Sequence, residues 1–368
     1  MILKHLSILN YKNLEQVELD FSVKLNCFFG LNGMGKTNLL DAIYYLSFCK
    51  SSGNPLDSQN IRHDENFFMI QGSYETEDGT TEEIYCGMKR RVKKQLKRNK
   101  KPYTRFSDHI GLIPLVMVAP SDVGLISDGS EERRRFMDIV ISQYDKAYMD
   151  ALIRYNKALA QRNVLLKSKA PVDEALFLIL EEVMAQSGDI VYSKRKNFIS
   201  EFIPIFQSLY SFISQDKEQV SLQYQSHAEN ASLLDKLKAS RERDKIMGFS
   251  LCGVHRDDLN MLLGEFPIKK EGSQGQNKTY LVALKLAQFY FLKLTRPTVP
   301  LLLLDDIFDK LDVSRVGRII ELVAGDKFGQ IFITDTNREN LSRILSEVNS
   351  DYKMFYVSDG AVTEKVEE

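Results

Sequence analysis

A phosphate-binding loop is the feature of this sequence that most constrains its fold. The motif G-x-x-x-x-G-K-[ST] is matched by the stretch Gly30-Leu31-Asn32-Gly33-Met34-Gly35-Lys36-Thr37. An apolar segment typical of a buried strand, residues 24–29, precedes it, and a helical segment, residues 36–48, follows. In such a loop the backbone N–H groups curl around phosphate oxygens, Lys36 reaches the β- and γ-phosphates, and the Thr37 hydroxyl ligates Mg²⁺. The motif therefore predicts an α/β fold with a nucleotide site.

Two carboxylates follow a second apolar strand, residues 301–304. Open α/β sheets bind their ligands at the carboxyl ends of strands, which is where Asp305 and Asp306 would lie. Asp305 is then expected to hold Mg²⁺, and Asp306 to orient or deprotonate the attacking water as a catalytic group. A buried strand that merely ends in a polar turn is the alternative.

A second candidate anion site lies at residues 273–276. The stretch Ser273-Gln274-Gly275-Gln276 precedes a helix whose apolar residues recur at core-facing spacing. Its N-terminus would bind phosphate, although the first loop of the same chain already does so. An ordinary serine N-cap followed by a flexible glycine is the alternative.

In chain order these stretches resemble the Walker A, signature and Walker B motifs of ABC-type ATPases, with a D-loop at Asp309-Lys310-Leu311-Asp312. Residues 3–14, 35–44, 133–138 and 255–258 also resemble the RecF family of bacterial repair and replication ATPases. The resemblance spans nearly the whole chain. It implies an ABC-type head with a mixed sheet, a helical second lobe, and slow ATP hydrolysis. It also implies that Ser273, Gly275, Gln276 and Asp312 contribute to ATP binding in an ATP-dependent homodimer.

The same resemblance implies a role in recombinational repair, replication-fork maintenance and the SOS response. The partners implied are DNA with a gap or a single-strand/duplex junction, and RecR and RecO, which would assist RecA loading. Four positions depart from the pattern of the family or of related ATPases. Asp309-Lys310 replaces the more common Ser-Glu, Gly53 stands where an arginine is expected, and Asp335 is where related ATPases carry histidine.

The hydrophobic pattern predicts two lobes. We expect a discontinuous ATPase head over residues 1–130 and 250–368, with a helical lobe over residues 131–249 inserted into it. Within the head, residues 2–21 read as a hairpin, and strands are expected at residues 67–70, 83–88 and 103–106. Helical periodicity covers residues 131–214, interrupted at Pro171, Gly188 and Pro204, and a further helix covers residues 232–247. Helices of this length are too short for the coiled-coil arm of an SMC protein. The tail after Gly360 is expected to fray.

Charge patterning identifies a local candidate for DNA contact. The 49 Lys and Arg side chains nearly balance the 50 Asp and Glu side chains, so the net charge is close to zero. A nucleic acid would therefore have to bind to a local basic patch rather than to a protein that is basic overall. Residues 89–101 contain nine basic residues in thirteen, too dense for a packed strand pair. The DNA contacts expected from charge are Lys93, Lys94, Lys97, Arg98 and Arg134. The alternatives are a solvated hairpin tip, arginine stems packed on the helical lobe, and an ion-pair corner at residues 255–257.

The cysteines and the apolar segments of the sequence indicate where in the cell the protein acts. The four cysteines form no paired motif, and no apolar run approaches the roughly 18 residues of a membrane span, which together predict a cytoplasmic protein. The nucleotide-binding subunit of an ABC transporter is the alternative function. Ser273 lies 237 positions after Lys36 (273 minus 36), a larger insertion than such subunits carry, so the repair ATPase is favoured.

Overall fold

The computed structural model describes residues 1–54, 56–168, 174–308, 311–325, 327–336, 341, 345 and 351–365. The strands are β1 Ile2–Tyr11, β2 Leu14–Asp20, β3 Leu25–Phe29, β4 Phe67–Glu75, β5 Thr81–Lys89, β6 Gln95–Arg98, β7 Lys101–Pro102, β8 Leu115–Val118, β9 Val220–Gln225, β10 Asp258–Leu263, β11 Phe266–Pro267, β12 Leu301–Asp305, β13 Ile331–Asp335, β14 Tyr352–Ser358 and β15 Ala361–Lys365. The helices are α1 Lys36–Phe48, α2 Gly124–Ser127, α3 Ser130–Tyr144, α4 Lys146–Lys167, α5 Glu174–Ser214, α6 Leu233–Met247, α7 Ile268–Glu271, α8 Gln274–Thr295 and α9 Val313–Ala324.

The chain divides into two compact units. The head unit comprises residues 1–122, 212–215 and 274–368, and the helical unit comprises residues 123–211 and 216–273. Residues 123–130 and 250–273, which the sequence pattern assigned to the head, group with the helical unit, and residues 212–215 group with the head. For residues 250–273 the reason is that β10 pairs with β9 along its whole length.

The head unit contains a mostly parallel sheet, and the candidate nucleotide site lies at one edge of it. Its order is β15-β14-β3-β13-β12-β8, with every neighbouring pair parallel except β14 and β15. The apolar runs predicted as strands at residues 24–29 and 301–304 are β3 and β12, and the predicted helix at residues 36–48 is α1. Because β13 lies between β3 and β12, these two strands end at the same edge of the sheet. That edge carries both the glycine-rich loop and the two carboxylates.

An antiparallel sheet in the order β2-β1-β4-β5-β6-β7 completes the head unit. The predicted hairpin at residues 2–21 is confirmed, with β1 and β2 joined by a turn at Lys12 and Asn13. The predicted strand at residues 103–106 is wrong, since β7 ends at Pro102 and a short 3-10 helix begins at Phe106. The basic run does pack as a strand, because Leu96 is buried and neighbouring acids neutralise two of its cations.

The helical unit confirms the predicted helical periodicity but not its interruptions. Helix α5 continues through Gly188 and Pro204 for 41 residues, while Pro171 lies outside the described residues. A Cβ atom at Gly188 would lie 2.4 Å from a methyl carbon of Leu233, so the glycine permits close packing of α6. Buried Phe202 and Phe206 flank Pro204, and their packing holds the helix where local propensity alone would break it.

The predictions for residues 232–247 and for the tail after Gly360 have opposite outcomes. The predicted helix at residues 232–247 is α6, capped by Ser232 and ended by Gly248 in the left-handed conformation. The expected fraying after Gly360 is wrong as far as Lys365, because β15 pairs with β14 there. Within the described residues, none of the helices is long and apolar enough to cross a membrane.

A fully buried ionic cluster ties the helices of the second unit together. The Arg162 guanidinium contacts Glu181 at 3.0 Å and Asp244 at 2.7 Å, and all three side chains are buried from solvent. Arg241 reaches the same Glu181 from the half-exposed edge of the cluster, at 2.5 Å. Arg162 therefore joins α4 to both α5 and α6, and its charge is what compensates the burial of the two carboxylates.

Replacing Arg162 by methionine should destabilise the helical unit strongly. Glu181 would retain Arg241, but Asp244 would lose its buried cation, and breaking a buried pair costs about 3–5 kcal/mol. Urea denaturation followed by circular dichroism measures the change. Lys245→Met is the matched control, because Lys245 pairs with Glu242 and Glu174 at the surface, where an ion pair contributes little to stability. Equal shifts for the two variants would contradict the structural role of the cluster.

Candidate nucleotide site

The glycine-rich loop leaves β3 after Phe29 and enters α1 at Lys36. Gly35 precedes the helix with φ of 114°, a conformation that strongly favours glycine. A Cβ atom at Gly35 would also lie 2.9 Å from the side-chain amide of Asn13 in the β1–β2 turn. Leu31, Asn32 and Gly33 are exposed. The loop therefore packs on one side against Asn13 and presents its other side to solvent.

Lys36 is buried beneath this loop although it carries a charge. Its side chain is 4% exposed, and its Nζ donates to the carbonyl oxygens of Gly30 at 2.8 Å and Leu31 at 3.1 Å. The ammonium group is thus held inside the curve of the loop. A phosphate bound by the loop would meet a cation that the fold has already positioned.

Asp305, at the end of β12, is the buried centre of the site. Its carboxylate accepts hydrogen bonds from Thr37 Oγ1 at 2.9 Å and Thr334 Oγ1 at 2.6 Å, and the residue is 1% exposed. Burial raises the pKa of Asp305 above its ordinary value, and the two hydroxyl donors oppose that rise. A hydroxyl and a carboxylate in contact are the oxygen ligands that Mg²⁺ prefers, so these residues fit the predicted metal.

Asp306 adopts a strained backbone conformation next to this pair. Its φ is 44°, in the left-handed region that residues with side chains seldom adopt. Its N–H donates to Thr334 at 3.1 Å, and its carbonyl oxygen accepts from Lys278 Nζ at 3.1 Å. Backbone strain of this kind concentrates at functional sites. The observation is independent of the motif that singled out Asp306.

Thr334 is a site residue that the sequence pattern did not identify. It immediately precedes Asp335, the last residue of β13, which is buried and pairs with Phe29 of β3. Thr334 contacts Asp305 only because β13 lies between β3 and β12. The order of strands in the sheet, which periodicity does not reveal, was the missing signal.

The C-terminal hairpin also supports the loop. The N–H of Gly360, in the β14–β15 turn, donates to the carbonyl oxygen of Met34 at 3.0 Å, and the N–H of Asp359 donates to the Met34 sulfur at 3.3 Å. From the other side, Asn13 accepts from Asn38 at 2.8 Å. Two turns from distant parts of the sequence therefore hold the loop and the first turn of α1.

A buried carboxylate fixes the turn beside the loop. Asp41 of α1 accepts hydrogen bonds from Tyr11, Ser51 and Ser52 and pairs with Lys12 at 2.6 Å. Burial by itself would raise the pKa of Asp41, but Lys12 and the hydroxyl donors outweigh it and lower the pKa.

An open cleft of about 860 Å³ adjoins this turn. Lys12, Asn13, Arg62 and Arg90 are among the residues that line it. The neighbouring Gly53, where the family pattern has an arginine, is exposed, and no heavy atom lies within 4 Å of a Cβ built there.

The signature residues lie at the start of α8. Ser273 is exposed and directly precedes the helix, whereas Gly275 and Gln276 in its first turn are half-buried. Asp312 caps α9, its Oδ1 accepting from the N–H of Arg315 at 2.9 Å. The other D-loop positions of interest, Asp309 and Lys310, lie outside the described residues.

The basic run at residues 89–101 forms two exposed clusters. Between them lie cations that pair with acidic side chains of the same chain. Lys94 contacts Asp57 at 2.7 Å with a side chain only 10% exposed, and Arg98 forms a two-point pair with Glu82. Lys97 lies over the ring of Tyr85. The exposed members are Lys89, Arg90, Arg91 and Lys93 around the β5–β6 turn, and Lys100 and Lys101 beyond β6.

The arginines of α3 and the stretch at residues 255–258 interact inside the helical unit. Arg134 donates to the carbonyl oxygen of Asp257 at 2.8 Å, and burial lowers its pKa. Asp257 pairs with buried Arg195 at 2.8 Å. Burial also lowers the pKa of His255 to about 4, so the imidazole is neutral at physiological pH. Of the alternatives left open by the sequence, an ion-pair corner describes these contacts.

The geometry defines a class of protein. A phosphate-binding loop and a carboxylate strand meet at one edge of a parallel sheet, and Thr37 and Asp305 are in contact there although their motifs are far apart in the chain. Together with a signature-like helix start and a capped D-loop helix in the same unit, these features are those of an ABC-type P-loop ATPase head.

Comparison with known proteins agrees with this class. The family model RecF/RecN/SMC N terminal domain matches residues 2–363. The chain is 77% identical over 364 residues to the DNA replication and repair protein RecF of Bacteroides thetaiotaomicron, with 99% of each chain covered. It is 50% identical over 363 residues to RecF of Porphyromonas gingivalis, covering 98% of this chain and 100% of that one. The chain therefore belongs to the RecF family.

Solved structures support the fold. The recombination mediator protein RecF-ATP in the RecFOR pathway superimposes with a TM-score of 0.89 at 29% identity, covering 99% of this chain and 98% of that chain. An Smc head bound to the C-winged helix domain of ScpA, at 15% identity, has a TM-score of 0.59 and covers 99% and 98% of the two chains. The predicted fold class is confirmed.

Gly360→Ala should weaken nucleotide binding without touching the loop motif. A Cβ atom at Gly360 would lie 2.3 Å from the carbonyl oxygen of Asn13, so the turn that holds Met34 must move. Gly79→Ala is the matched control, because Gly79 has nearly the same φ, 80° against 78°, but open space around its Cβ. Titration with a fluorescent ATP analogue should show a loss of about tenfold, or 1.4 kcal/mol, for Gly360→Ala alone. Equal affinities for both variants would remove the hairpin from the site.

Proposed function

We propose that this protein is a slow ATPase that acts as a switch in DNA replication and repair. The contact between Thr37 and Asp305 carries the proposal, because it joins the loop motif to the carboxylate motif in the arrangement that nucleotide hydrolysis requires. The names of the relatives, DNA replication and repair protein and recombination mediator, support the biological context. The transporter alternative has no specific observation in its favour.

The proposed roles follow from the position of each group. Residues 30–35 bind the phosphates of ATP through backbone N–H groups, and Lys36 neutralises the charge of the β- and γ-phosphates. Thr37 and Asp305 would hold Mg²⁺, which neutralises charge on the phosphate oxygens when bound. The open cleft beside Asn13 offers room for the remainder of the nucleotide.

Asp306 is proposed to orient the attacking water and to accept its proton. Its backbone is held on both sides, by Thr334 at the N–H and by Lys278 at the carbonyl oxygen, so the side chain projects from a fixed point. Slow hydrolysis would suit a switch whose ATP-bound state must persist.

The signature residues are proposed to complete the site of a second copy. Phosphates bound by residues 30–37 already occupy one helix N-terminus, and the start of α8 is a second one in the same chain. Ser273, Gly275 and Gln276 would therefore contact the γ-phosphate held by the partner, with Asp312 near the same interface. ATP would then be buried between two copies and would hold the dimer together.

Ser273→Arg should bind ATP with nearly unchanged affinity and fail to dimerise. The bulky cation would enter the pocket of the partner rather than that of its own chain. Mass measurement with ATP and without it distinguishes monomer from dimer. Ser200→Arg, at an exposed serine of α5, is the matched control and should dimerise normally. Lys36→Ala should lose ATP binding itself. A Ser273→Arg dimer as tight as the wild type would reject the composite site.

DNA is the proposed macromolecular partner, contacted through phosphates at the β5–β6 turn. Lys89, Arg91 and Lys93 are exposed there, and of the residues first expected to touch DNA, Lys93 belongs to this cluster and Lys97 borders it. Lys94, Arg98 and Arg134 hold internal partners, so we leave them out of the proposed DNA-contact surface. Binding through phosphates would be tolerant of sequence and sensitive to salt.

The triple variant Lys89→Glu, Arg91→Glu, Lys93→Glu should weaken DNA binding and flatten its salt dependence. Every phosphate that the protein no longer neutralises lowers the slope of log K against log salt by about 0.9 on duplex DNA. The control variant Lys146→Glu, Arg154→Glu, Lys157→Glu makes the same change in net charge at exposed positions of α4. Affinities for a gapped duplex across a salt series, with and without ATP, measure both effects. Parallel slopes for the wild type and the first variant would exclude the turn as a DNA contact.

The same measurement tests the coupling of DNA to ATP. If ATP closes two copies, two such turns act on one duplex, and affinity should rise through multivalency. RecR and RecO are the protein partners that family membership supports, acting on gaps or single-strand/duplex junctions before RecA loads. Equal DNA affinities in the two nucleotide states would reject the ATP-coupled switch.

A further inference from the structure

The first turn of α8 is tied to α9 by one arginine. Arg315 Nη1 donates to the carbonyl oxygen of Gly275 at 3.2 Å and to Thr279 Oγ1 at 2.6 Å. Its Nε pairs with Asp312, the cap of its own helix, at 3.1 Å. Arg315 is thus shared between a signature residue and the D-loop cap.

A second cation links α8 to the catalytic strand. Lys278, one position before Thr279, donates from Nζ to the carbonyl oxygen of Asp306 at 3.1 Å. Asp306 is the residue with positive φ, and its N–H is bonded to Thr334. The start of α8 therefore contacts both the backbone of the proposed catalytic residue and the cap of α9.

In a dimer, these links would connect residues that belong to two different nucleotide sites. Within one chain, Gly275 belongs to the half-site offered to the partner's nucleotide, whereas Asp306 belongs to the site of its own nucleotide. Thr279 is fully buried and the Arg315 side chain is 17% exposed, so water competes little for the bond between them, whereas Asp312 is 59% exposed. A charged donor shared among three acceptors fixes their relative positions better than separate neutral bonds.

We propose that Arg315 is a positioning residue that holds the signature turn in register with the D-loop cap, so that the two nucleotide sites of a dimer are mechanically coupled. Lys278 extends the same link to Asp306. The proposal rests on the composite site described under the proposed function. Neither residue contacts the nucleotide of its own chain in this scheme; each acts through the turn or the backbone that it holds.

The test separates binding of ATP to one chain from closure of two chains. Arg315→Leu should leave the affinity of the monomer for a fluorescent ATP analogue within about twofold, since residues 30–37 are untouched. The dissociation constant of the ATP-bound dimer should rise about tenfold or more, with a matching loss of turnover. Arg315→Lys should recover part of this loss, because an ammonium group reaches one acceptor but not all three.

Arg318→Leu is the matched control on the same helix. Arg318 pairs with Glu321 at the exposed surface, so its removal should leave dimerisation unchanged. A Thr279→Val variant removes an acceptor of Arg315 without altering the arginine. Combined with Arg315→Leu, it should show a non-additive effect on dimer affinity, which a general loss of stability would not produce.

The outcomes distinguish this inference from the function on which it rests. If wild-type protein dimerises with ATP, Ser273→Arg does not, and Arg315→Leu behaves as the wild type, the composite site survives and the positioning role is overturned. Equal losses for Arg315→Leu and Arg318→Leu overturn it as well. If Ser273→Arg dimerises normally, the composite site itself fails, whatever the Arg315 variants do.

Discussion

The head unit depends on a carboxylate that is buried where three elements end. Asp305 is inaccessible to water at the tip of β12, and its charge is accommodated by hydroxyl donors from Thr37 at the start of α1 and Thr334 at the end of β13. Because an uncompensated buried carboxylate is costly, the loop, the carboxylate strand β12 and the neighbouring strand β13 are held in one arrangement. Burial raises the pKa of Asp305, and a cation bound there would stabilise the charged carboxylate. The candidate nucleotide site and the packing of the head unit thus rest on the same contacts.

Much of the remaining charge in the chain is also used internally. The basic run that reads as a nucleic-acid patch contains Lys94, which pairs with Asp57, and Arg98, which pairs with Glu82 of the neighbouring strand β5. In the helical unit, Arg162 and Arg195 are fully buried cations that join helices through carboxylates. A cation that is already paired inside the protein has little to offer to phosphate, because its desolvation and its partner would both have to be given up. The exposed cations at the β5–β6 turn are therefore the better candidates for DNA contact.

Support for the phosphate-binding loop comes from parts of the chain that no local motif connects to it. Asn13 packs against Gly35 from the β1–β2 turn, and Gly360 donates to Met34 from the C-terminal hairpin. Arg315 and Lys278 have a comparable relation to the signature turn and to Asp306. Each of these residues acts on the site through backbone or through another side chain. Short motifs identify the groups that would touch a ligand, whereas their orientation is supplied by these neighbours.

The sequence by itself determined the strand, loop and helix around residues 30–37, the carboxylate strand at residues 301–306 and the capped helix α6, because glycines, caps and apolar periodicity act over a few neighbouring residues. The sequence also indicated the protein family, because the motifs follow one another in a fixed order. Only the tertiary structure decided that β13 brings Thr334 to Asp305, that α5 runs through Gly188 and Pro204, and that Lys94 and Arg98 pair with Asp57 and Glu82. Those outcomes depend on strand order, on packing of Leu233 against Gly188, and on acids distant in sequence, and none of these leaves a local pattern.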